Sequence, residues 1–180
     1  MRFLLLVLLL ANHLAHAKVE PPNYDFSMDT LADFFPGKEV AAIETKYGKP
    51  GVLRDDGKTK MLRFMVAQIR YVFPIIVQVS EGKVVDMHAQ LPSYFLHDIF
   101  HHSLIKRWGK QQTYTRVDEE AFYQWQNDEL VMAYGASCTI TCFPTYFNVQ
   151  LPKQKAPPGL VSIVELLSSN LKHSPGQTRP

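Results

Sequence analysis

Two segments, IETKYGKP at residues 43–50 and LIKRWGKQ at residues 104–111, lie 61 positions apart and end alike. Each closes an apolar-periodic stretch with an aromatic residue, a glycine and a lysine: Tyr47-Gly48-Lys49 and Trp108-Gly109-Lys110. Glycine just past the last periodic residue stops a helix, and Pro50 blocks continuation of the first. Several β-type runs separated by turn residues follow each exit. A recurring helix, Gly-Lys exit and set of strands leaves few solutions, and the simplest is an internal duplication of one small α+β unit.

The elements can be placed from their periods. Val40, Ile43 and Tyr47 give residues 38–47 one apolar helical face, and Thr30 or Asp33 can cap a short turn before Pro36-Gly37. The polar segment 54–60 reads as a turn with a hairpin-type Asp-Gly pair. Residues 61–66, 69–73, 75–79 and 84–89 read as strands, with Pro74 predicting an edge or a bulge. On the last of these Val85, Met87 and Ala89 share one face and Asp86 and His88 the other. A helix from about Pro92 to Arg107 follows, and then a polar connection over 111–115 and 117–119. Residues 121–126, 130–134, 137–143 and 146–151 are the strands of the second half.

The expectation is an α+β fold of two tandem helix-plus-antiparallel-sheet modules, residues 37–91 and 92–151, able to share one continuous sheet, with a C-terminal helix. Residues 18–36 form an extended lead-in. A proline-rich arm and a short amphipathic helix, whose apolar face caps the sheet or docks elsewhere, occupy 152–171, and 172–180 form a frayed tail.

The first seventeen residues have the form of a secretory signal peptide. Arg2 precedes an apolar run from Phe3 to Leu10, and Ala15-His16-Ala17 is a small-x-small cleavage site. The run is too short to span a bilayer, so no transmembrane segment is expected in the mature chain. Lys18 stands where a bacterial lipid anchor would need cysteine. The expected address is the periplasm, with full secretion as the alternative. Without Arg2 the chain holds 18 basic and 17 acidic residues, a formal charge of +1. Such a balance offers no electrostatic footprint for nucleic acid.

A helix, the exit Tyr47-Gly48-Lys49-Pro50, and strands closing on Glu81-Gly82-Lys83-Val84-Val85-Asp86 resemble the small outer-membrane lipoprotein superfamily called SmpA/OmlA. They are also similar to the related tandem fold of β-lactamase inhibitory proteins. The resemblance covers residues 37–89, and 98–151 more loosely; the second half has no Gly-Lys-Val turn. It implies helix-plus-sheet modules that bind other proteins through a sheet surface.

Three groups of residues invite chemistry. His97 and His101, one helical turn apart, could grip zinc or copper with Asp98, and with His88 if its strand packs alongside. The leading reading is an ordinary helix flank, the inward stripe being Leu96, Ile99, Phe100, Ser103 and Leu104, and a pH-sensitive contact surface is the other alternative. Cys138 and Cys142 suit a disulfide in an exported protein, yet in one unbroken strand their α-carbons would stand about 13 Å apart, beyond bonding reach. Tyr123, Trp125, Tyr134 and Tyr146 crowd the second half as candidate protein-binding anchors. No phosphate loop, nucleophile elbow or facing carboxylate pair suggests an enzyme. A non-catalytic module engaging an envelope protein is therefore expected, with a periplasmic metal- or small-ligand-binding protein as the alternative.

Overall fold

The computed structural model describes residues 28–68, 71–92 and 96–172; the expected signal peptide, most of the lead-in and most of the tail lie outside the described residues. Two short helices, α1 (Met28–Ala32) and α2 (Val40–Tyr47), precede four strands, β1 (Gly51–Asp55), β2 (Thr59–Gln68), β3 (Tyr71–Ser80) and β4 (Lys83–Gln90). Helix α3 (His97–Trp108) leads into β5 (Thr113–Val117), β6 (Glu120–Gln126), β7 (Val131–Cys138) and β8 (Cys142–Gln150), and α4 (Ile163–Lys172) ends the described chain. The protein is mixed α+β. All eight strands join one sheet in the order β1-β2-β3-β4-β8-β7-β6-β5, with every neighbouring pair antiparallel.

Alternation decides what each face carries. Leu62, Phe64 and Val66 on β2, Ile75 and Val77 on β3, and Phe147 and Val149 on β8 are buried with Phe100 and Leu104 of α3 and Ile43 of α2. This is the helix-covered face. Helix α1 is tied in by polar contacts: Tyr47 and Lys46 each donate to Asp33 Oδ2 at 2.6 Å, and Arg107 donates to Asp29 at 2.8 Å. Asp33 thus anchors helix to helix instead of capping a turn. Its carboxyl is lowered because the Lys46 and Tyr47 hydrogen bonds outweigh the opposing effect of burial.

Helix α4 lies against β3 and β4. Its first turn fixes where it starts. Glu165 N–H donates to Ser162 Oγ and Ser162 N–H returns a bond to Glu165 Oε2, a capping box that stabilises the helix by about 1 kcal/mol. Ile163 N–H donates to the buried Asp86 Oδ2 at 2.7 Å, and Asn148 Nδ2 donates to Asp86 Oδ1 at 2.8 Å. Burial raises the Asp86 carboxyl to about 6 against the lowering effect of those bonds.

The structure corrects several expected strands. Strands β1 and β5, the two sheet edges, were not expected: β1 runs into the expected turn at Arg54 and Asp55, and β5 lies in the expected polar connection; every residue in both is exposed, so no apolar alternation marks them. Pro74 lies inside β3, one residue past the end of the β3–β4 ladder at Ile75 and Ala89, where its missing N–H withdraws nothing on that side. The expected strand 137–143 is broken: β7 ends at Cys138, a turn follows, and β8 begins at Cys142, running through Pro144 beside a register shift at Gly135/Ala136.

Candidate functional site

The histidine helix turns two of its three imidazoles inward. His97 and His101 stack with ring centroids 5.3 Å apart, and both lie over the aromatic residues of β6 and β7. His97 Nδ1 shares a 2.9 Å hydrogen bond with Tyr134 Oη, and His101 sits 4.4 Å from the Tyr123 ring centre. Trp125 is 1% exposed and donates its indole N–H to Gly109 O at 2.8 Å, fastening the helix exit to the sheet. Burial lowers both histidines; the His101 charge lowers His97 further, while Asp98 opposes. Burial also raises the Tyr134 hydroxyl far above the usual phenol range. The expected inward stripe holds at Phe100 and Leu104, but Leu96 is exposed and the two histidines take flank positions that face the sheet.

The metal-ligand set does not assemble. Asp98 is exposed, and His88 belongs to the opposite face of the sheet, following Met87 in the strand alternation and stacking on Tyr146 at 5.3 Å. Among the described residues no three His, Cys, Asp or Glu side chains come together to hold a metal ion. His88 is 8% exposed, its Nδ1 has no hydrogen-bond partner among the described residues, and burial lowers it to about 4.

Of the four aromatic anchors expected from the sequence, Tyr123, Trp125 and Tyr134 are buried on the helix-covered face and present no surface to a partner. Tyr146 alone stands on the other face. There Gln90, Tyr146, Gly135, Phe122 and Thr115 are opposed in one row across β4, β8, β7, β6 and β5. The Tyr146 ring lies so close over Gly135 that a β-carbon there would collide with it. Glycine is required by this close approach, and Phe122 is exposed beside it. On the same face, toward the β1 edge, Met65 is 54% and Val72 62% exposed. Sequence reasoning missed these two and Phe122. The signal was available: with Leu62, Phe64 and Val66 assigned to the core, Met65 and Ala67 are apolar at positions that should face water.

The cysteines do bond. Cys138 and Cys142 pair across the β7–β8 hairpin with α-carbons 4.0 Å apart, because the turn at Thr139, Ile140 and Thr141 folds the segment back on itself. The turn presents Ile140 fully to solvent, 100% exposed. With Phe143, Leu96 and His97 it lines a groove of about 760 Å³ between the hairpin and the start of α3.

No protein-family model matches the chain, and no curated protein matches it. Among solved structures, a DUF4309 family protein (YjgB) from Bacillus subtilis is similar over 66% of this chain and 81% of its own, with 8% sequence identity and a TM-score of 0.41. A likeness this distant carries no argument about function. No described helix is long and apolar enough to cross a membrane.

Proposed function

We propose that the chain is an exported, non-catalytic binding protein that docks on another envelope protein, most simply in the periplasm, through the sheet face left uncovered by helices α2 and α3. One observation carries this reading: Met65, Val72 and Phe122 are exposed on that face, where a solvated antiparallel sheet ordinarily turns polar residues outward. Tyr146, stacked on His88 and seated on Gly135, adds a rigid aromatic platform between them. Gln90 and Gln124 border the platform, so the complementary partner is a protein surface apolar at its centre and hydrogen-bonding around it.

The two halves are read as tandem copies of one module. The sheet order supports this, since each half is a helix followed by a four-stranded meander and the meanders meet at β4 and β8. The helix exits support it too. Gly48 and Gly109, 61 residues apart, take φ of 84° and 76° and donate to Glu44 O and Ile105 O at 2.9 and 2.8 Å.

The test is affinity capture from an envelope extract with tagged residues 18–180, a Val72→Glu/Phe122→Glu variant and an Ile140→Glu control. The reading expects one envelope protein recovered in near-equal amount by the parent and the control and lost by the double variant. Retention by the double variant would move the interface elsewhere, and capture of nothing by any of the three would sink the reading.

A further inference from the structure

Beneath the proline-rich arm, on the same sheet face but toward the β1–β2 turn, lies an opening separate from the Tyr146 platform. Arg54, Met61, Gln78 and Asp86 are opposed in sequence across β1, β2, β3 and β4, so they form one row on one face. The arm and α4 lie over this row and leave a cavity of about 180 Å³ lined by Gln78, the β1–β2 turn and Pro158 to Val161. Gln78 is 5% exposed and its Oε1 accepts no hydrogen bond among the described residues. A buried amide oxygen left this way costs about 1 to 3 kcal/mol, so a donor entering the cavity has a ready partner.

Two cations border the same cavity. Arg54 lies 3.6 Å from Asp56 Oδ2, but Asp56 already serves the turn: Lys58 and Thr59 N–H donate to its Oδ1 at 3.0 and 2.7 Å, and the Thr59 hydroxyl donates to Oδ2 at 2.9 Å. Lys58 makes no ion pair among the described residues. Arg54 and Lys58 against Asp56 leave one positive charge in excess. The first N–H of α4 is taken by Asp86, so an anion here would rest on side chains. Pro158, Leu160 and Leu166 supply an apolar wall.

We propose that this cavity binds a small carboxylate that also carries a hydroxyl or amino group, of hydroxy-acid or amino-acid size. The carboxylate pairs with Arg54 and Lys58, the hydroxyl or amine donates to Gln78 Oε1, and the carbon skeleton lies against Leu160 and Pro158. The experiment is calorimetric titration and amide NMR on residues 18–180 with each of the common amino acids, glycolate, lactate and malate, using acetate and sulfate as probes that lack the donor. Expected is saturable binding of at least one donor-bearing acid with Kd at or below about 1 mM, and shifts at Gly57 and Gly159. Binding should weaken at least tenfold in Arg54→Ala/Lys58→Ala and in Gln78→Leu, and Gln78→Leu should keep its thermal midpoint because it removes the unpaired oxygen. No saturable binding of any probe would overturn the proposal. So would acetate and sulfate binding as tightly as the best donor-bearing acid, which would mean an adventitious ion only, or an unchanged Kd in Gln78→Leu.

Discussion

On one face of the sheet Tyr123, Trp125 and Tyr134 lie beneath α3; on the other Tyr146, Phe122, Met65 and Val72 meet solvent or stand next to it. Both sets are large apolar or aromatic side chains, and the difference lies in which of two alternating positions each occupies and what lies over it: α3 on one face, and on the other α4 against β3 and β4. His97 and His101 against His88 repeat the lesson. All three are packed against tyrosines and lowered by burial, yet they sit on opposite sides of one sheet and cannot act together. A cluster in sequence is a cluster in space only when the strand period allows it.

The sharpest way to break this comparison is to truncate one aromatic residue on each face. Trp125→Ala should lower unfolding free energy by about 3 to 5 kcal/mol in urea melts, since it removes a buried ring and the bond to Gly109 O. Phe122→Ala, three residues earlier and on the open face, should stay within about 1 kcal/mol. Equal losses would mean that both faces are core.

Asp86 and His88, neighbours on the face opposite α3, titrate in opposite senses. His88 is lowered to about 4, so its contribution is full above 6.5 and is lost as pH falls through 4, up to about 3 kcal/mol. Asp86 is raised to about 6, so its contribution is full below 3.8 and is lost as pH rises through 6, with a similar ceiling of about 3 kcal/mol. Denaturant melts between pH 4 and 6.5 should therefore show the gap between parent and His88→Gln widening in the parent's favour as pH rises. The gap between parent and Asp86→Asn should move the other way. His97 and His101 tilt the parent in the same sense as His88.

Smaller still is the hairpin staple. Cys138→Ser/Cys142→Ser closes no loop in the unfolded chain and should cost about 2 kcal/mol for so short a loop. The loss should be measurable as a lower urea midpoint with an unchanged slope. The smallest effect is expected from Val72→Glu, within about 0.5 kcal/mol, because that side chain is 62% exposed. A large loss there would show that the exposed face is buried in the working protein by a part of its own chain.

Much of the architecture was legible because burial writes a pattern. Strands β2 and β3 read as strands from their apolar and β-branched runs, and the two helices end at glycine with the same 61-residue spacing. The edge strands β1 and β5 bury no residue and left no such trace. The cysteines misled for a related reason. Two strands joined by a three-residue turn read as one apolar run, and only the pairing of Cys138 with Cys142 tells a hairpin from a strand. The aromatic anchors were legible as a crowd but not by side, since a register in which Gly135 opposes both Phe122 and Tyr146 follows from strand pairing rather than composition.

The most direct test of the account is hydroxyl-radical footprinting of residues 18–180, alone and saturated with the captured envelope partner. The account predicts that Met65, Val72 and Phe122 are labelled in the free protein and protected in the complex, with Trp125 and Tyr134 unlabelled in both and Ile140 labelled in both. Protection of Leu96, Ile140 and Phe143 with Met65 and Phe122 unchanged would contradict it, and would place the interface at the disulfide hairpin and the start of the histidine helix.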